Sequence, residues 1–200
     1  MYKLVSSLLM ACISFSCYAQ NIELPAPEKT GGKPLMEALS DRQSTREFSD
    51  KELDLQTLSN LLWSAYGFNR DNMRVVPSAN NKQEFTVYAV LKSGVYAYDA
   101  KENSLILKVA GDLREKTGKQ DFVTVAPLNL VYVADLNITS HREMAGIDCG
   151  FIAQNVYLYC ASAGLGTVVR GWFDSEEIKA AFGLPENQEP ILTQTVGYKK

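Results

Sequence analysis

The chain has 200 residues, with 20 basic and 23 acidic side chains and 46% hydrophobic residues, enough for one domain with a real core. Its mildly acidic balance, without a basic cluster, gives no basis for nucleic-acid binding or a polyanionic partner. One histidine and four cysteines, with no CxxC pair, leave too few ligands for a metal enzyme or a redox-thiol enzyme.

Residues 1–19 read as a signal peptide. Lys3 gives a basic start, Leu4 to Phe15 an apolar run, and Cys17-Tyr18-Ala19 a small-residue cleavage region before Gln20, so export, in a periplasmic setting, is expected. The run is short and polar-interrupted against the ~20 apolar residues that span a bilayer, so no stable membrane insertion is expected. Leu9-Met10-Ala11-Cys12 loosely looks like a lipobox, with too little apolar sequence before it. Removing the leader takes away one charge, Lys3, and leaves 19 basic and 23 acidic side chains. Cys149 and Cys160 remain, eleven residues apart in one expected helix. That is about 16 Å, beyond the ~7 Å reach of a disulfide.

Residues 20–33 form an N-terminal arm rich in Pro, Gly and charge, and residues 34–200 form the folded domain. A helix begins near Pro34 with Leu35, Met36 and Leu39 on one face. A second is capped by Asp54, carries Leu55, Leu58, Leu61, Leu62 and Ala65 as its apolar stripe, and ends at Gly67. Strands are expected over Phe85 to Leu91, Gly94 to Tyr98 and Leu105 to Val109, with Tyr96 and Tyr98 as sheet residues. Leu128 to Val133 reads as a strand buried on both faces.

A long helix from Arg142 to Ala163 follows, with Ser140 and Glu143 spaced as a capping box and Gly164 as its stop. His141 at its start reads as a surface or capping residue. A short helix starts at Asp174 or Ser175 and stops at Gly183, and Ile191 to Tyr198 forms a last strand. The order is α+β, without regular βαβ alternation.

Three separated stretches carry chemistry. In Arg42-Gln43-Ser44-Thr45-Arg46, two guanidinium groups and a hydroxyl match the bidentate, charge-assisted donors that a phosphate monoester takes. Taken alone, the stretch also reads as two solvated arginines beside Asp41 and Glu47. In Pro77-Ser78-Ala79-Asn80-Asn81-Lys82-Gln83, Asn81 and Gln83 bring amides able to read a heteroaromatic edge or a polyol, although bare composition says only turn. In Gly164-Leu165-Gly166-Thr167-Val168-Val169-Arg170-Gly171-Trp172-Phe173-Asp174, Gly171 would let backbone approach a flat ligand, while Gly164 and Gly166 suit a helix stop and a turn. The stretch lacks the GxGxxG dinucleotide fingerprint.

Together these stretches resemble the nitroreductase family. Arg42 to Arg46 looks like its Arg-x-Ser-x-Arg/Lys motif, which clamps the FMN phosphate. Pro77, Ser78, Asn81 and Gln83 match its Pro-Ser-x-x-Asn-x-Gln loop facing the flavin. The Gly-Leu-Gly-Thr segment, running on through Arg170 and Gly171 to Phe173-Asp174, resembles the segment at the reactive isoalloxazine edge. Order and spacing match over nearly the whole chain after the leader. Leu61 to Arg70, with Tyr96 to Asp99 and Gly111 to Arg114, is most similar to the branch that includes azoline-oxidising dehydrogenases.

The resemblance implies a mixed sheet between helices, an intertwined homodimer, FMN, and electrons passing from a reductant such as NAD(P)H to a small organic substrate. It also leaves open a flavin-binding protein without turnover and an azoline-type dehydrogenase. No acid–base side chain is required, since the cofactor carries such chemistry. Two departures stand out. Glu84-Phe85 replaces the common Pro-Trp, and only Lys199 and Lys200 could serve in place of a longer tail that contacts the phosphate in some members.

Overall fold

The computed structural model describes residues 20–139 and 141–200. The expected signal peptide and Ser140 of the expected capping box lie outside the described residues. The elements in chain order are β1 (Ile22–Glu23), α1 (Leu35–Asp41), α2 (Leu55–Tyr66), β2 (Phe68–Arg70), β3 (Met73–Arg74), β4 (Phe85–Leu91), β5 (Gly94–Asp99), β6 (Ser104–Ala110), β7 (Leu128–Asp135), α3 (Arg142–Ser162), β8 (Leu165–Arg170), α4 (Ser175–Phe182) and β9 (Gln188–Tyr198).

Seven strands form one sheet in the order β1-β6-β5-β4-β7-β9-β8, and β2 pairs with β3 as a separate ribbon. The α+β class is as expected. The sheet, expected to be mixed, is instead antiparallel at every described pairing, because successive strands return by hairpins or through helices that bring the chain back alongside in the opposite sense.

Alternation along the central strands covers both faces. Leu128, Leu130, Tyr132 and Ala134 of β7 join Phe85, Val87 and Ala89 of β4 beneath α2 and α3. On the other face, Val131 and Val133 join Tyr88 and Val90 beneath Ile178 and Phe182 of α4. A sheet packed on both sides requires this apolar register, and shifting a strand by one residue would exchange the two faces. Tyr96 and Tyr98 are buried in the sheet as expected.

The helix ends follow local chemistry. Thr57 N–H donates to Asp54 Oδ1 at 2.8 Å at the start of α2, Glu177 N–H to Asp174 Oδ1 at 3.0 Å at the start of α4, and Gly183 closes α4 with φ of 65°. His141 occupies the N-cap position of α3 without a side-chain capping bond.

The arm is pinned more closely than its composition suggests. β1 pairs with β6, Ser59 Oγ donates to Pro25 O at 2.6 Å, and Lys33 N–H donates to Ser162 Oγ at 2.8 Å. Among the described residues no helix is long and apolar enough to cross a membrane.

Candidate FMN site

The Arg42 to Arg46 stretch leaves α1 as an extended segment and docks on β8. Thr45 N–H donates to Thr167 O at 2.9 Å, and Phe48 bridges to Lys199, so the segment is tied to the outer strand β8 at Thr45 and to the residue that follows β9 at Phe48. Gly166 lies inside β8, where a turn was expected. A Cβ there would meet Thr45 Cγ2 at 2.8 Å and Lys199 Cγ at 3.2 Å, so the missing side chain is what admits both.

Ser44 Oγ and Tyr157 Oη lie 2.9 Å apart, and Tyr157 Oη also accepts from Val169 N–H at 3.0 Å. The Arg42 guanidinium stacks over the Tyr157 ring at 5.3 Å. Tyr157 therefore organises the motif from α3. Sequence reasoning did not single it out, because an aromatic on a long helix reads as core.

Extension separates the two arginines. Arg42, Gln43 and Lys199 line a polar cleft of about 340 Å³ with Lys33, Ser40 and Asp41. Arg46 and Lys200 line a different cleft of about 990 Å³, floored by Phe48, Phe122, Val125 and Trp172. Arg42 and Arg46 thus line different clefts, since an extended chain advances ~3.3 Å per residue and spreads residues that a helix would stack.

Gly171 follows β8 with open space on its Cβ side, and its neighbour Trp172 is 68% exposed. Close approach by a flat ligand is sterically free at this point. Arg170, grouped with the cofactor contacts from sequence, instead turns inward and is 5% exposed. Its Nη1 donates to Thr117 O at 2.8 Å and Gln120 Oε1 at 3.2 Å, and Nη2 donates to Asn129 Oδ1 at 3.0 Å. Burial without a carboxylate partner pulls its pKa down to about 10. Arg170 fastens the 114–129 segment, whose residues Lys119 to Phe122 and Val125 wall the larger cleft.

The Pro77 to Gln83 loop lies elsewhere. Ala79 N–H donates to Asp148 Oδ2 at 2.8 Å, and Gln83 N–H to Ser78 Oγ at 3.0 Å. Gln83 Nε2 donates to Asn81 Oδ1 at 2.9 Å, and Gln83 Oε1 accepts from Arg74 at 3.2 Å. The two amides lock each other in place, and Pro77, Ser78 and Asn81 line their own cleft with Arg70 and Met73. Asp148 and Tyr157, which anchor this loop and the Arg42 segment, are nine residues apart on α3, about 14 Å along its axis. The two halves of the expected site are thus anchored at separate points of α3.

Cys149 and Cys160 are both free and buried, and burial pushes their thiols well above the ordinary range, as expected for packing residues.

The model of the nitroreductase family matches residues 39–198. The chain belongs to the nitroreductase family. A nitroreductase-family protein of Methanocaldococcus jannaschii is 31% identical over 195 residues, covering 89% of this chain and 96% of the relative. A nitroreductase-family crystal structure from Ralstonia eutropha is 42% identical with a TM-score of 0.86, covering 100% of this chain and 99% of that one. A chain of the E. coli microcin synthetase complex shares the fold end to end, with a TM-score of 0.72 at 18% identity over 99% of this chain and 85% of that one. Nitroreductase-family membership makes the chain an oxidoreductase, and it fits both the order of the three motifs and their placement around β8 and α3.

Proposed function

We propose that the protein is an exported, homodimeric oxidoreductase that binds FMN and passes electrons from a reductant of the NAD(P)H type to a small organic acceptor. The observation that carries this reading is the donor set around β8. The small polar cleft offers Arg42, Gln43, Lys199 and Lys33, chemistry suited to a phosphate dianion. A larger cleft offers Arg46 and Lys200 above an aromatic and apolar floor, suited to a flat ring. Ser44 lies between Arg42 and Arg46 in the chain, and Gly171, with open space on its Cβ side, precedes Trp172 of the larger cleft.

When bound, FMN supplies the two-electron transfer chemistry. The chain's part is to hold and shield. Arg42 and Lys199 would bind the phosphate, Ser44, held by Tyr157, would orient the polyol, and main-chain N–H groups near Gly171 would face the ring. Trp172, Phe122 and Phe48 would exclude water from the reacting face, which strengthens each polar contact there.

The homodimer reading has two supports. Asn81 and Gln83 belong to the half of the site that one protomer holds apart from Arg42. In addition, Met144, Ile147 and Phe151 of α3, with Leu35, Met36 and Leu39 of α1, are exposed large hydrophobics, and the two helices pack together. Such an apolar face suits a second copy of the chain.

An absorption spectrum of the purified protein, with mass identification of the released cofactor, tests the reading. A flavin spectrum that bleaches on adding NADH or NADPH supports it. Protein that stays colourless in added FMN overturns it, and bound FMN that no reductant bleaches leaves a binding protein. Export is tested by the N-terminus of the secreted form, expected at Gln20.

A further inference from the structure

Glu84, which replaces the family's common proline, is the last residue before β4 and is 3% exposed. Neither of its carboxylate oxygens receives a hydrogen bond from a donor among the described residues. Burial without a donor disfavours the ionised carboxylate, so the group holds its proton above the ordinary carboxyl range. Asp148 of α3, also 3% exposed, lies within hydrogen-bonding reach of it and already accepts from Ala79 N–H at 2.8 Å.

The groups facing this pair are few. Cys149 from α3 is a neutral thiol, Tyr66 from α2 is a neutral phenol whose Oη accepts from Phe85 N–H at 3.2 Å, and Lys82 supplies a distant positive charge. Arg74 is committed to Tyr66 O at 2.8 Å and to Gln83 Oε1 at 3.2 Å. Two carboxyl groups in a dry site without a direct counterion cannot both ionise.

We propose that Glu84 and Asp148 share one proton, and that this protonated pair is the anchor holding the Pro77 to Gln83 loop in position to meet FMN. Glu84 donates to Asp148, Asp148 holds Ala79 N–H, and Ala79 fixes a loop in which Asn80, Asn81 and Gln83 all have positive φ, at 53°, 53° and 51°. Left-handed backbone at non-glycine residues is strained, so the loop keeps this shape only under external restraint. Glu84 is a positioning residue. The proposal rests on the FMN reading for its functional part, while the shared proton stands independently.

The sign follows from linkage. Burial, with Asp148 adding to it, raises Glu84 above its ordinary value of 4.5. The folded protein then holds more protons than the unfolded chain between the ordinary and the raised value. The stability this group contributes is fully present below the ordinary carboxyl range, falls as pH rises through that window, and levels off above it.

The experiment compares full-length wild type, Glu84→Gln and Glu84→Leu from about pH 4 to pH 9. It follows melting temperature without cofactor, exchange of the Ala79 amide, and FMN affinity by fluorescence quenching. The side-chain amide introduced by E84Q can donate at every pH, so this variant should lose the wild-type decline in melting temperature attributable to Glu84 and keep Ala79 protected. E84L should expose Ala79 to exchange at every pH. FMN binding to wild type should stay level across the window and weaken above it, by up to about tenfold per pH unit, one proton's worth, while E84Q binding stays level at both. An E84Q profile that keeps the wild-type slope, or an Ala79 amide equally protected in E84L, overturns the proposal. If no variant binds FMN, the FMN reading fails, and melting and exchange still decide the shared proton.

Discussion

The amide of Thr45 donates to the carbonyl of Thr167 at 2.9 Å, and this bond lays the Arg42 to Arg46 motif along the outer edge of β8. The approach depends on Gly166, where a Cβ would stand 3.0 Å from Thr45 Cβ and 2.8 Å from its Cγ2. Gly166→Ala should therefore push the motif off the strand, lowering stability by about 1–3 kcal/mol as overpacking does and weakening FMN. Gly171→Ala meets nothing within 4 Å and should leave the melting temperature unchanged. Thermal melts of the two variants side by side make the check, and equal losses would remove the close-approach role of Gly166.

The separation of the two arginines yields an asymmetry. Arg42→Ala should weaken FMN roughly tenfold to a hundredfold, the worth of a charge-assisted contact of about 1.5–3 kcal/mol, while riboflavin changes little. Arg46→Ala, acting in the apolar-floored cleft, should weaken both flavins alike. Titrations of each variant with the two flavins measure this directly. A phosphate-specific loss at Arg46 instead would return the phosphate to the larger cleft.

Much of this was legible in the sequence, and the gaps have physical causes. Asp54, Gly67, Asp174 and Gly183 bound their helices as read, because caps act within four residues. The double-faced burial of β7 was visible in its unbroken apolar run. β8 was not read as a strand, because Gly164 and Gly166 look like turn residues until Thr45 is seen against them. The inward turn of Arg170 was equally hidden, since its acceptors Thr117, Gln120 and Asn129 lie at least 41 residues away. The relation of Glu84 to Asp148 is likewise long-range, although the replacement of a common proline marked the position.

Arg170 gives a third test. Its guanidinium holds Thr117, Gln120 and Asn129, and a side chain at Gly118 would collide with Nη1. Arg170→Met strands those acceptors in a buried site and should cost about 2–4 kcal/mol, a fall of roughly 5–15 °C in melting temperature for a chain of this size. Gly118→Ala should produce the same loosening of the 114–129 segment. Hydrogen exchange across that segment reports it, and unchanged protection in both variants would show that the segment holds without Arg170.

The last prediction concerns the two half-sites, held about 14 Å apart along α3 by Tyr157 beside Ser44 and by Asp148 beneath Ala79. If FMN lies between copies of the chain, Arg42 comes from one protomer and Asn81 with Gln83 from its partner. Arg42→Glu and a double Asn81→Asp, Gln83→Glu variant should then each fail to bind FMN while remaining folded and dimeric. Mixed under conditions that allow subunit exchange, they should recover binding in about a quarter of the sites, because half of the dimers become mixed and each mixed dimer holds one intact site. Phe151→Glu, which places a charge in the exposed apolar face of α3, should give a folded monomer that binds no FMN and complements neither variant. Light scattering gives the mass and flavin fluorescence the occupancy. A mixture that recovers nothing, despite subunit exchange confirmed by differently tagged chains, would place both half-sites within one protomer and overturn the interface reading.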